Sequence, residues 1–200
     1  MKFQEHILSN KQSLISLLNI RLKALKRVSY VASFRSRKMI ANGIIMSKLI
    51  YLAPLWGGSE KYLINSLQIV QNKAARTVTK CDIQTPIKSL LLQCGWLSVA
   101  QLCVYHSLIT FFKIRESKAP SYMFSKLFAT AEASYSLRSI AAEQVRLGPG
   151  QAATELARNS FKYRATRQWN SLPQDIRKSS TLSSYKGKLK AWIVNNVPVS

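Results

Sequence analysis

Two hundred residues carry 30 Lys and Arg against 8 Asp and Glu, a formal charge of +22, and 47% of them are hydrophobic. That apolar share excludes a disordered basic tail and suffices for a core of one domain, or one and a half. Two Asp (Asp82, Asp175) and six scattered Glu exclude an easily built multi-carboxylate metal site, and so one-sided a charge favours an anionic partner.

Residues 10–33 read as a helix, with Leu14, Leu18, Leu22 and Leu25 on one side and Lys23, Lys26 and Arg27 on the other. Residues 36–55 read as a second. Ile40, Ile44, Ser47 and Tyr51 form one stripe and Ile45, Leu49 and Leu52 the next, a face wide enough to imply burial. Pro54 and Gly57-Gly58 end it. A third helix over 60–79 turns Leu63, Leu67, Val70, Ala74 and Val78 inward, with Lys73, Arg76 and Lys80 sharing another face.

Pro86 opens a short helix through Leu92. After a turn at Gly95-Trp96, Ser98-x-x-Gln101 has the form of a capping box that starts a helix over 98–115. A short helix over 121–128 follows. Residues 89–112 carry no charge and are long enough to span a bilayer. Gln93, Gly95, Ser98, Gln101, His106 and Ser107 interrupt that stretch, so two buried helices are expected, and no membrane partner. His106 reads as a core histidine and His6 as part of a loose terminus. Cys81, Cys94 and Cys103 lack any paired spacing, so inert thiols in a reducing compartment are expected, with no metal. No signal peptide is visible.

Residues 129–159, rich in Ala and Ser and holding Gly148-Pro149-Gly150, read as a long loop or flexible insertion with a short extended piece at 135–139. From residue 160, Phe161, Lys162, Tyr163, Arg164, Arg167 and Trp169 interleave rings and cations. The last helix, 181–195, sets Leu182, Tyr185, Leu189, Trp192 and Ile193 on one face, with Gly187 costing about 1 kcal/mol of helix propensity. The expected fold is therefore mainly α, an irregular helical bundle. It divides into a helical domain over 1–128, the 129–159 insertion, and a basic, aromatic segment over 160–200.

Between Glu5 and Glu60 there are nine basic residues and no acidic one. Helical surface charges ordinarily come with Glu interleaved at i,i+4. Without it, a cationic face is neutralised by phosphate backbones, which release their condensed counterions. Arg35, Arg37, Lys38, Lys73, Arg76 and Lys80 are the candidate contacts in the first half, and Arg164, Arg167, Arg177 and Lys178 in the second. Such contacts position a strand without reading its bases. No G-x-S-x-G, no phosphate loop and no paired carboxylates occur, so neither catalysis nor a cofactor is expected.

Four stretches carry a family resemblance. LIYLAPLWGGSEKYLINSLQIVQNKAARTVTK (49–80) follows the pattern aliphatic-Y-x-x-x-x-W … L-x-x-x-Q-x-x-A-x-R. Residues 92–123 include L-x-x-x-K-I-x-x-x-x-A-P-x-Y in altered form, and YSLRS occupies 135–139. The block over 158–190 carries the most specific order, R-x-S-F, then W-N-S-L-P-x-x-I-R, then L-x-x-[FY]-K-x-x-L. Together these resemble the C-terminal, thumb and post-thumb, region of a non-LTR (LINE-type, jockey-like) retrotransposon reverse transcriptase. The resemblance implies a thumb-like first domain that grips template–primer or target DNA by its backbone. RNA and DNA would be its partners, and an upstream palm if the chain is part of a longer one. It also implies a nuclear or cytoplasmic setting. The catalytic aspartates of the family belong to that palm, and this chain has no Asp-Asp. Gln101 stands where the family often has Arg, which argues against a basic contact there. The alternatives are a decayed remnant reading frame, a fragment of an active polymerase, and a membrane-associated helical protein.

Overall fold

The computed structural model describes residues 2–51, 53–58, 61–128 and 154–198. Among these residues the chain is helical throughout its regular structure, with no strand. The expected extended piece at 135–139 lies outside the described residues, as does most of the 129–159 insertion. The described end of that insertion is a short helix, Glu155–Asn159, capped by Thr154.

The chain forms two compact units, Met1–Leu52 with Glu60–Leu102, and Ala53–Ser59 with Cys103–Pro198. The division expected at 128 is thus displaced. Residues 53–59 leave the first unit to join the second, and one helix, Val99–Ser117, runs through the later boundary.

The first unit begins with α1, Lys2–Ser29. His6 therefore lies within a helix rather than a loose terminus. Leu18, Leu22 and Leu25 are buried, as their spacing requires. α2, Phe34–Ala41, starts at Ser33, whose Oγ accepts from the Ser36 amide at 3.2 Å. A π-helical turn, Asn42–Met46, continues it into α3, Ser47–Tyr51. The wider ladder leaves carbonyls for side chains: Arg21 Nη1 donates to Ile44 O at 2.8 Å, and Ser47 Oγ donates to Gly43 O.

The middle of this unit is α5, Lys61–Thr79, after the short α4, Ala53–Trp56, which belongs to the other unit. α5 packs against α1, α2 and α6, Ile87–Cys94. Its inward face includes Leu63, Leu67, Val70, Ala74 and Val78, with Gln68 and Gln71 buried beside them. Those two amides hold the chain that enters α7, Val99–Ser117. Gln71 Nε2 donates to Leu97 O, and Gln68 Oε1 accepts from the Val99 amide, both at 2.8 Å.

Gly95 ends α6 in the left-handed region at φ 68°. The capping box then forms reciprocally. The Gln101 amide donates to Ser98 Oγ at 3.3 Å, and the Ser98 amide donates to Gln101 Oε1 at 3.0 Å. Gln101 is consequently buried within a helix start.

The second unit holds the rest of α7, then α8, Ser121–Phe128, α9, Glu155–Asn159, α10, Phe161–Ser171, α11, Gln174–Arg177, and α12, Leu182–Asn196. Ser160 caps α10 and Thr181 caps α12. Its core is aromatic. Trp169 lies 5.2 Å from Phe111 and 6.0 Å from Tyr185, and Phe112 stacks on Tyr185 at 4.3 Å. Arg115 lies over both Trp169, at 4.9 Å, and Phe112, at 5.3 Å.

Candidate nucleic-acid interface

In the first unit the C-terminal ends of α1 and α5 border a groove of about 450 Å³, lined by Lys26, Ser29, Tyr30, Arg76, Thr77 and Lys80. The helix periods produce it. Lys26 and Ser29 lie in the last turn of α1 with Tyr30 just past its end, while Arg76 and Thr77 lie in the last turn of α5 with Lys80 just past its end, at i, i+1 and i+4. Two helix C-termini carry together roughly one negative charge, less than the three cations Lys26, Arg76 and Lys80 supply. The surplus faces the groove. None of these three cations forms an ion pair among the described residues.

Arg76 donates from Nη2 to the Ile83 carbonyl at 3.1 Å, while its Nε meets no acceptor. Lys80 has φ 58°, a left-handed conformation rare for a side-chain-bearing residue. Its amide closes on Arg76 O at 2.8 Å, so the helix terminates on a lysine where glycine is usual. The two aliphatic hydroxyls in the groove, Ser29 and Thr77, donate to carbonyls of their own helices, Lys26 O and Lys73 O.

Of the ten expected contacts, the fold brings Arg76 and Lys80 together in this groove, and Lys26 joins them. Lys73 is exposed on the same helix, one turn earlier, and Arg35 is exposed on α2. Lys38 is half-buried, its ammonium close to Gly95 and near enough to Cys94 to oppose the upward push of burial on that thiol.

Two of the ten are corrected. Arg37 is 7% exposed, its Nε donating to Val78 O at 2.8 Å and its Nη1 to Ala32 O. It ties helix ends together and offers no surface cation. Arg177 is 5% exposed, next to the buried Ile176 at the end of α11, with Nε and Nη1 meeting no acceptor. Neither guanidinium reaches a strand laid on the surface.

Arg164 is half-buried and committed to backbone carbonyls, with Nη2 to Pro54 O at 2.8 Å and Nε to Asn159 O at 3.0 Å. Arg167 and Lys178 are exposed on the second unit. The rings expected to interleave with them separate: Trp169 is fully buried, whereas Phe161 and Tyr163 are half-buried.

Tyr30 was not among the expected contacts. It is 83% exposed and lines the groove beside Lys26. It falls just past the end of α1, where periodicity stops reporting which way a side chain faces. Elsewhere, the three thiols are free, with Cys94 and Cys103 buried. His106 is half-buried edge-on to Tyr105, and burial, followed by Lys186 and Lys113, lowers its pKa.

No single helix among the described residues is long and apolar enough to cross a membrane. α6 and α7 pass that test only as a pair, broken at the intervening turn. Comparison with protein-family models, with curated proteins and with solved structures finds no match to this chain.

Proposed function

We propose that this chain is a nucleic-acid-binding module, the thumb and post-thumb part of a non-LTR retrotransposon reverse transcriptase whose catalytic palm lies on another segment. It holds RNA or DNA by the backbone, in the nucleus or cytoplasm, and contributes no catalytic group of its own. The observation that carries this reading is the groove at the ends of α1 and α5, where Lys26, Arg76 and Lys80 converge without ion-pair partners among the described residues. Gathered cations of this kind bind a polyanion through counterion release.

The residues that resemble the family also have definite work in the fold. Gln71, the glutamine of the L-x-x-x-Q-x-x-A-x-R pattern, holds the Leu97 carbonyl, and Arg76, the arginine of that pattern, lines the groove. Trp169, in the W-N-S-L-P order, is the buried centre of the second unit.

The test is fluorescence anisotropy with a short RNA–DNA duplex bearing a single-stranded overhang, titrated over a range of salt. Affinity should fall steeply with salt. Lys26→Gln, Arg76→Gln and Lys80→Gln together should reduce the slope by about 0.9 for each phosphate that is no longer neutralised. A flat salt response of the wild type, or an unchanged slope in the triple variant, refutes the proposal.

A further inference from the structure

We propose that the groove takes an unpaired strand rather than a duplex, with a base stacked on the Tyr30 ring and its flanking phosphates against Lys26, Arg76 and Lys80. This deepens the nucleic-acid reading above and rests on it.

Three observations point to that occupant. First, the ring is 83% exposed, so it contributes almost nothing to the core, and it lines the same groove as three cations without ion-pair partners among the described residues. A bare aromatic face beside phosphate-binding cations is how sequence-tolerant single-strand binders are built, because every base has a π-face to offer. In a duplex those faces are already stacked on one another, and a protein meets only base edges and the sugar–phosphate surface. An exposed ring then adds little. Second, the groove is an open one of about 450 Å³. That lies within the roughly 300–1,000 Å³ typical of small-ligand sites, a size for one nucleotide unit and its neighbours' phosphates.

Third, the backbone at the rim is set for the purpose. Lys80 keeps a left-handed conformation that a glycine would adopt without strain, and strain of this kind is retained where a side chain is needed at a particular place. Arg76 lines the same rim, its guanidinium held by the Ile83 carbonyl. The hydroxyl of Tyr30 is not required, since stacking uses the ring alone. Phenylalanine should therefore substitute for it.

The experiment compares one labelled twelve-nucleotide DNA strand with its blunt duplex, at fixed moderate salt, on wild type, Tyr30→Ala, Tyr30→Phe and the Lys26, Arg76, Lys80→Gln triple variant. The ring is so exposed that folding of the Tyr30 variants is not at issue, and circular dichroism checks it. Wild type should prefer the single strand. Tyr30→Ala should lower single-strand affinity about tenfold more than duplex affinity, and Tyr30→Phe should keep the preference. Equal effects of Tyr30→Ala on both ligands, or none, overturn the stacking inference; if the triple variant still loses binding, the nucleic-acid reading survives it. Wild type that binds neither ligand overturns both.

Discussion

The Nε of Arg37 donates to the carbonyl of Val78 at 2.8 Å, joining the start of α2 to the last turn of α5. The guanidinium thereby places its charge at a helix C-terminus, where a cation is favoured. Arg37→Ala should lower stability by about 2–3 kcal/mol, because it leaves a buried carbonyl unpaired and removes a charged hydrogen bond. Arg35→Ala, two residues away and exposed, should change stability by less than about 0.5 kcal/mol. Urea denaturation of the two variants measures the contrast, and equal effects would show the buried contact to be energetically idle.

Gly57 and Gly58 leave room that Arg164 fills. A Cβ on Gly57 would meet Arg164 Nη1, and one on Gly58 would meet the Asn159 carbonyl oxygen. Both Gly→Ala changes should destabilise by roughly 1–3 kcal/mol. They should differ in a double-mutant cycle. Arg164→Ala should relieve much of the Gly57→Ala penalty, since the obstacle is a side chain. It should relieve little of the Gly58→Ala penalty, where the obstacle is backbone. Additive behaviour at Gly57 would contradict the packing described.

Trp169 is fully buried among Phe111, Phe112 and Tyr185, whereas Trp192 is half-exposed on α12. Trp169→Ala should cost about 3–5 kcal/mol, and Trp192→Ala about 1 kcal/mol. Thermal unfolding of both variants ranks them. Equal losses would mean that Trp192 is part of the same core.

Stability should fall on both sides of neutrality. Burial raises the Cys103 thiol from its ordinary 9.0 to about 11, offset in part by Arg164. The folded state therefore favours the protonated thiol. Its contribution, roughly 2–3 kcal/mol, is complete below pH 9 and is lost as pH climbs toward 11. Burial also raises Tyr185 and Tyr105, which deepens the alkaline loss. His106 is lowered from 6.5, so its contribution is present above that pH and drains away as pH falls toward the folded value. Cys103→Ala should flatten part of the alkaline limb and His106→Gln part of the acid limb. Unchanged pH profiles in these variants would remove the two groups as causes.

Lys80→Gly should move two measurements in opposite directions. Relief of the left-handed backbone should stabilise the fold by about 1 kcal/mol, while loss of the ammonium should weaken nucleic-acid binding. A variant that gains no stability would show the conformation to be unstrained. One that binds as well as wild type would take Lys80 out of the groove's function.

Local signals were legible in the residues, and charge placement was not. The helix at 121–128 and the Ser98–Gln101 box lie where spacing and capping chemistry put them, because both depend on residues within one turn. The apolar stripe of α5 was equally plain, yet Gln68 and Gln71 inside it gave no sign that they would hold residues 97–99. Arg35, Arg37, Arg164 and Arg177 look alike as letters. Arg37 did carry a clue, since it precedes Ala41 and Ile45 at intervals of four along a buried stripe. Arg164 and Arg177 directly adjoin the buried Ala165 and Ile176, but the Pro54 carbonyl that Arg164 meets comes from distant chain. The same holds for Tyr30, whose exposure depends on where α1 stops and not on any period.

The π-helical turn at Asn42–Met46 decides which side chains beyond it face inward. Each residue advances an α-helix by roughly 100°, so rewinding these same residues as regular α-helix would swing everything beyond them around the axis by about one residue's worth. Leu49 would then leave the interior, and the carbonyl of Ile44, taken up by the regular ladder, would no longer be open to Arg21. The wide turn thus sets the rotational phase of the helix that follows it.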